Sequence, residues 1–381
     1  MSTILHLIDS LSVGGTEVLL KNTLPLLKIE KNIICYLNQP DELKPAFKDY
    51  PVYCLQHRKK TDILRTIRRL RKILKQHRVD IVHTHLFWST LIARFAVPKT
   101  LPLVSTIHSV YSIDAFQKNE KALLAERLSV RKRHNIIAVS KFVLKDYLEW
   151  VRFKGRAFVL YDFLPGGYFT KSSRRKEDQQ SLRCVAVGNF KEAKNYSYLL
   201  KIFSHLKNEN VSLDIYGQGD LEKELNGIIQ KEDLSVYLRG QEKITGDLLR
   251  EYDLFVQASS HEGFGLSVIE AVATGLPVFI SDIPVFREVT GGCAHFFSLT
   301  NPTQAAEQLI QVKQRPDLRY KYVDAAYSFA RNNFSEQHFV TGLREIYAQV
   351  LRNKKGYQDT NDQFSFINDS TENIKTEKRP G

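Results

Sequence analysis

Residues 259–278 read Ser259-Ser260-His261-Glu262-Gly263-Phe264-Gly265-Leu266-Ser267-Val268-Ile269-Glu270-Ala271-Val272-Ala273-Thr274-Gly275-Leu276-Pro277-Val278, and this stretch decides the fold. An apolar run ends before it at about Ala258, a glycine-containing turn follows, a helix begins near Gly265, and Gly275-Leu276-Pro277 stops that helix ahead of another apolar run. Strand, turn, helix and strand in this order are the repeating unit of a parallel sheet. The turn leaves the N–H groups of Gly263, Phe264, Gly265 and Leu266 at the C-terminal edge of the sheet, where they can hold a diphosphate. Glu262 projects from the turn and Glu270 from the helix, so the two carboxylates reach different parts of one elongated ligand. A surface loop with two solvated acids fits the same spacing.

The same alternation extends in both directions. Upstream, apolar runs at Ile4–Leu11, Ile33–Leu37, Val52–Leu55, Ile81–His85, Leu103–His108, Ile136–Ser140 and Phe158–Phe163 are separated by helical patterns from about Glu17, 61–77, 119–134 and 141–149. Many runs are continuously apolar, as in Ile136-Ile137-Ala138-Val139, which suits strands covered on both faces. Residues 165–181 are rich in glycine, serine and charge without apolar periodicity and read as a linker. A second series follows at Cys184–Val187, Leu213–Tyr216, Val236–Leu238, Leu254–Val256 and Val278–Ile280, with two or three helices after residue 302. The expected organisation is therefore α/β with two doubly wound domains, 1–164 and 182–335, joined by 165–181. A helix over 336–352, with a return to the first domain as an option, and an unstructured polar tail over 353–381 complete it. In two consecutive doubly wound domains, the ligand is expected in the cleft between them.

Among the 381 residues, 43% are hydrophobic and 25% charged, the balance of a folded soluble protein. No run approaches the roughly 20 apolar residues of a spanning helix. The start lacks the basic and small-residue features of a secretory signal, so a cytoplasmic location, with the inner membrane face as an option, is expected. Four scattered cysteines form no metal-ligand spacing. The net charge of +13 is unevenly placed: residues 1–170 carry +14 and the remainder −1, with +9 concentrated in residues 58–78. The helix at 61–77 has an apolar stripe and a charged surface that includes Arg65, Arg68, Arg69 and Lys72, and such a surface attracts an anionic membrane. No zinc finger, RNP or helix-turn-helix pattern supports nucleic acid.

Glu262 to Glu270 resembles the E-x7-E motif of the retaining glycosyltransferases of family GT4, whose GT-B architecture has two Rossmann-like domains. Other segments resemble that family in order. They are Gly14-Gly15-Thr16-Glu17, His83-Thr84-His85, Ser105-Thr106-Ile107-His108, Gly188-Asn189 through Lys194-Asn195, the Gly217-Gln218-Gly219 turn, and Leu238-Arg239-Gly240.

The resemblance implies that the second domain binds a nucleotide-sugar donor. Glu270 would hold the ribose, Glu262 the donor sugar, the Gly263 to Leu266 N–H groups the distal phosphate and sugar, and Lys194 the diphosphate. Gly217, Gly219 and Arg239 would border the base. Gly15 would approach the phosphate, and His108 the donor sugar. Asn189 replaces the family's arginine at the phosphate site, Ser109 stands where many relatives have aspartate, and Tyr161-Asp162-Phe163-Leu164 replaces an asparagine-glycine turn.

His83 and His85 lack a third ligand at matching spacing, so His85 is expected to line the cleft rather than a metal site. No D-x-D triplet occurs, and neither metal nor cofactor is expected. The implied activity is retaining, metal-independent hexosyl transfer to a glycan or lipid-linked acceptor, with bacterial surface polysaccharide synthesis as the setting. The alternatives are a nucleotide-sugar epimerase of similar architecture and a catalytically silent, basic membrane-binding partner.

Overall fold

The computed structural model describes residues 2–117, 119–170, 181–354 and 364–366. The chain divides into two compact units. Unit 1 comprises Met1–Val139, Val143–Tyr161 and Phe339–Gly381, and unit 2 comprises Ser140–Phe142 and Asp162–His338.

In unit 1 the strands are β1 (Thr3–Ile8), β2 (Lys31–Tyr36), β3 (Val52–Cys54), β4 (Ile81–His85), β5 (Leu103–Ile107), β6 (Asn135–Ala138) and β7 (Arg156–Val159). The helices are α1 (Gly15–Thr23), α2 (Ile63–Gln76), α3 (Phe87–Ala96), α4 (Glu120–Ser129) and α5 (Lys141–Val151). In unit 2 the strands are β8 (Leu182–Val187), β9 (Val211–Tyr216), β10 (Val236–Gly240), β11 (Leu254–Gln257), β12 (Val278–Ser281) and β13 (His295–Phe297). Its helices are α6 (Tyr196–Ser204), α7 (Glu222–Lys231), α8 (Gly246–Leu249), α9 (Leu266–Ala273), α10 (Pro284–Val289), α11 (Pro302–Gln314), α12 (Pro316–Arg319) and α13 (Val323–Asn333). Helix α14 (Glu336–Lys354) precedes a short strand, β14 (Phe364–Phe366).

The strand orders are β14-β7-β6-β5-β4-β1-β2-β3 and β10-β9-β8-β11-β12-β13, with parallel pairing throughout. Both are doubly wound. Strands such as β4 and β5 are buried at every residue, which explains their unbroken apolar runs. In unit 1, α2, α3 and α4 cross from β3 to β4 to β5 to β6 in one direction along the sheet. Right-handed crossovers therefore place all three on one face. Leu5, Leu7, Leu70, Ile73, Leu74, Val82, Ile92 and Ala93 form the core beneath α2 and α3. From the opposite side, α14 holds unit 1 through Arg344, whose guanidinium bonds Glu30 at 2.9 Å.

Several expectations change. Helix α3 is absent from the sequence pattern, because its apolar residues form no clean stripe: Trp88 and Phe95 face solvent while Ile92 and Ala93 are buried. Helix α4 stops at Ser129 rather than near 134, where Val130 turns extended. Among the described residues from 302 onward there are four helices, since Pro316 starts a new one at α12. The tail expected to lack structure contributes β14, which pairs in parallel with β7. Its Phe-Ser-Phe sequence is a local β-forming island in a polar stretch. Linker residues 171–180 and the rest of the tail lie outside the described residues.

Candidate active site

In unit 2 the segment after β8 bends back so that Lys194 lies beside the turn after β11. Gly188 has φ +153°, and a Cβ there would fall 2.8 Å from Lys194 Cε, so the glycine makes room for the lysine stem. Asn195 follows in the left-handed conformation at φ +50° and starts α6, a position that asparagine tolerates. Lys194 Nζ donates to Glu262 Oε1 at 2.6 Å. Ser259 Oγ donates to the same oxygen at 2.8 Å and accepts from Gln257 Nε2 at 2.9 Å. The lysine and glutamate side chains retain 19% and 15% of their exposure, so the pair is held but reachable. An ammonium has three donors. Glu262 engages one of them.

The turn that carries Glu262 enters α9 through Gly265 at φ +84°. A Cβ at Gly265 would also meet the Phe286 ring at 2.9 Å, which leaves glycine as the residue for this corner. Phe264 is buried edge-on against Phe334, at 5.5 Å between ring centroids, and pins the turn from below. The hydroxyl of Ser267, in the first turn of α9, is buried without a hydrogen-bond partner.

Glu270 lies on α9 within hydrogen-bonding reach of the Tyr168 hydroxyl, whose single proton is shared between the Glu270 carboxyl and the Ile244 carbonyl, the latter at 2.7 Å. Burial pushes the Glu270 carboxyl up to about 7, against the opposing pull of the Tyr168 hydroxyl and the Lys194 charge. Near neutral pH it stands between its acid and its carboxylate form. This is the perturbation expected of a functional carboxyl.

The remaining unit 2 candidates have structural partners. Gly217 passes so close to the strand end after β8 that a Cβ would lie 2.0 Å from the Gly188 oxygen, and one at Gly219 would lie 2.7 Å from the Phe190 oxygen. Arg239 pairs with Asp214 at 3.0 Å and lies over the Tyr237 ring. Asn189 and Lys191 are exposed, whereas Leu266 is half-buried.

In unit 1 the glycine loop before α1 is organised by Glu17, which accepts from Ser12 at 3.2 Å and occupies the space a Gly14 Cβ would need. Beside it, a Cβ on Gly15 would meet nothing within 4 Å, so the open approach lies at Gly15. His108 Nε2 is buried without a partner, and burial lowers its imidazole to about 4, so the ring is neutral at pH 7.

His85 is buried rather than presented at a surface, stacked near His6 and 4.3 Å from the His83 ring centroid. The ligand atoms of His6, His83 and His85 lie within 4.8 Å of one another, so β1 supplies the third imidazole absent from the sequence spacing. The β1–β4 register sets His6 against His83. Both His83 nitrogens are engaged at 2.7 Å, by Tyr347 and Thr106, and His6 reaches Asn32 at 3.2 Å. An ion would have to displace one of those hydroxyls. Burial holds His6 down at about 4 and His83 and His85 well below the usual histidine range.

The basic helix α2 buries Thr66, Leu70, Ile73 and Leu74. Arg65, Arg68 and Lys72 are exposed, whereas Arg69 turns inward to the Leu55 carbonyl at 2.9 Å and Gln56 at 2.8 Å. Tyr168, Ser259, Ser267 and His6 join these clusters without a local sequence signal, since each is placed by a turn or a neighbouring strand.

Residues 13–163 match the family described as Glycosyltransferase Family 4, and residues 169–329 match Glycosyl transferases group 1. An uncharacterized 41.2 kDa protein in the cps region of Klebsiella pneumoniae is 24% identical over 375 residues, covering 90% of this chain and 99% of that protein. An uncharacterized glycosyltransferase of Methanocaldococcus jannaschii is 22% identical, covering 89% and 95%. Among solved structures, Anabaena HepE in complex with UDP superposes with a TM-score of 0.79 at 16% identity, covering 92% of this chain and all of that one. HepE has also been solved with UDP-glucose.

Proposed function

Because the chain belongs to the GT4 glycosyltransferases and has their GT-B fold of two Rossmann-like units, we propose that it transfers a sugar, with retention and without a metal, from a nucleoside diphosphate to a glycan or lipid-linked acceptor. The observation that carries this reading is the Lys194–Glu262 pair at the mouth of β11, with Glu270 on the following helix. The relatives named for a cps region and for sugar transfer support it, as do the UDP complexes of HepE.

Breaking the anomeric bond sends its electron pair to the departing phosphate oxygen. Lys194, with two donors beyond its bond to Glu262, and the N–H groups of Gly263 to Leu266 stabilise that charge as it grows. The acceptor oxygen bonds to the anomeric carbon from the same face, and the leaving phosphate takes the acceptor proton. A double displacement would need Glu262 as a free nucleophile. Its Oε1 accepts from Lys194 and Ser259, which orient the carboxylate so that its other oxygen can accept from sugar hydroxyls in this reading. Glu270, near half-protonated at neutral pH, can both donate to and accept from the ribose hydroxyls. Gly15 and the neutral His108 are assigned to the donor phosphate and sugar.

The test is to incubate the chain with nucleoside-diphosphate sugars, with and without glycan and lipid-linked acceptors, and to read the product by NMR. Acceptor-dependent release of the nucleotide and a product with the donor's anomeric configuration are expected. An inverted product would overturn retention. Release of UDP with epimerisation in the absence of acceptor would favour the epimerase reading.

A further inference from the structure

Helix α3 lies between α2 and α4 on one face of the unit 1 sheet. Arg71 of α2 donates to the Ala96 and Phe95 carbonyls of α3 at 2.9 and 3.1 Å. Arg94 of α3 forms a two-pronged, buried ion pair with Glu126 of α4, both contacts at 2.7 Å. These ties hold the three helices as one layer. Its outer surface is unusual in carrying large apolar side chains in water: Leu64 is 63% exposed, Trp88 51%, Phe95 53%, Leu124 57% and Leu128 62%, with Ile63 beside them. The other large apolar side chains exposed among the described residues, Val13, Val18, Ile29 and Tyr237, lie elsewhere.

Helical spacing aligns these residues. Trp88 and Phe95 are seven apart on α3, and Leu124 and Leu128 are four apart on α4, so each pair shares one helix face. The same layer carries exposed cations: Arg65, Arg68, Lys72 and Lys75 on α2, and Arg127 on α4, whose Nε donates to the Trp150 carbonyl at 2.8 Å. Helix α2 contains six arginines and lysines and no carboxylate. The same charge continues past the C-terminal ends of α3 and α4, where a pocket of about 570 Å³ is lined by Lys99, Lys132, Arg133 and Arg156 and by no acidic residue.

We propose that the α2–α3–α4 face docks on an anionic lipid bilayer, with Trp88, Phe95, Leu124 and Leu128 entering the headgroup boundary and the α2 cations resting on lipid phosphates. Apolar tips set among cations match an interface whose outer layer is anionic and whose inner layer is apolar. A nucleic acid would match only the charge. This inference deepens the reading of a lipid-linked acceptor and rests on that reading only for the use of the membrane. Its geometry belongs to unit 1 alone.

The test is co-sedimentation of the full chain with phosphatidylcholine vesicles, with and without phosphatidylglycerol. Binding is expected only with the anionic lipid. Changing Arg65, Arg68, Lys72 and Lys75 to Gln should weaken the partition roughly 10²–10³-fold. Changing Trp88, Phe95, Leu124 and Leu128 to Ser, with charge unaltered, should weaken it about 10–100-fold. In a Trp150→Phe background, Trp88 is the remaining tryptophan of two, and its emission should shift to the blue on adding anionic vesicles. Equal binding to neutral vesicles, undiminished binding of the serine variant or an unshifted Trp88 overturns the proposal. A dimer that the serine changes dissociate, without vesicle binding, also overturns it by assigning the face to a second copy. Nucleotide affinity is measured on the same samples. Its loss in the wild type would count against the transferase reading and leave the vesicle result to be judged by itself.

Discussion

The histidine cluster of unit 1 and the carboxylate–lysine cluster of unit 2 both gather polar side chains on parallel strands or just after them, yet they end in opposite states. In unit 1, His6, His83 and His85 lie inside the sheet, neutral, with His83 bonded through both nitrogens. In unit 2, Lys194 and Glu262 form an ion pair at a reachable edge, Ser267 on the following helix has an unbonded hydroxyl, and Glu270 is pushed up to about 7. The first arrangement uses its polar atoms to build a core. The second leaves donor capacity for a ligand. Residue type alone does not separate the two. The separation comes from access: His85 Nδ1 also lacks a partner but is buried, whereas the Lys194–Glu262 pair is partly exposed.

The largest effect should come from Lys194. Lys194→Ala removes the charge proposed to stabilise the leaving phosphate, and a loss of about 10²–10³ in kcat, comparable to deleting an oxyanion donor, is expected in steady-state transfer assays. His83→Leu should instead leave the affinity for donor nucleotide within about threefold while lowering stability by about 2–4 kcal/mol in urea unfolding, through the orphaned Tyr347 and Thr106 hydroxyls. Equal kinetic damage from both changes would break the contrast.

The next effect is on pH. Imidazoles lowered to about 4 by burial bind fewer protons in the folded than in the unfolded chain between pH 6.5 and 4. Their stabilisation is therefore complete above 6.5 and lost as pH falls through 4, each imidazole giving up about 1.4 kcal/mol for every pH step of one across that window. The raised Glu270 has the opposite sign: its contribution is complete below 4.5 and lost as pH rises through about 7. Hydrogen exchange corrected for intrinsic rates should show β1, β4 and β5 losing protection at pH 5 relative to pH 7.5, with α9 unaffected or better protected. Parallel loss in both units would refute the opposed signs.

Glu270 sharpens the contrast further. Glu270→Gln should raise stability at pH 8 by about 1–3 kcal/mol, since no buried charge then forms. Glu270→Ala should raise the donor KM by a factor equivalent to roughly 1.5–3 kcal/mol. A stabilising change and a binding loss at one position mark a residue kept for its ligand. The smallest effect belongs to chelation: EDTA should leave transfer unchanged, and loss restored by Mg²⁺ or Mn²⁺ would reassign how the diphosphate is neutralised.

Most strands are legible in the sequence because buried parallel strands are written as short apolar runs, and Ile81–His85 appears in the structure with the bounds its run suggests. Helix α3 is not, since a helix that exposes Trp88 and Phe95 breaks the amphipathic pattern by which helices are recognised. At the site, Glu262 and Glu270 can be picked out from type and spacing, and Lys194 from the resemblance of its segment to the family's phosphate site. Tyr168, Ser259 and His6 cannot, because their partners lie across turns or on neighbouring strands that only the fold brings together. Arg69 groups with the other α2 cations in the sequence because spacing shows charge and not direction.

The central claim is that unit 2 binds a nucleoside diphosphate through Lys194 and Glu270, and calorimetric titration of the full chain with UDP, GDP and their sugars tests it most directly. Saturable binding of one nucleoside diphosphate is expected, weakened by at least about tenfold in both Lys194→Ala and Glu270→Ala. Absence of binding by every nucleoside diphosphate, or an affinity that neither substitution changes, would contradict it.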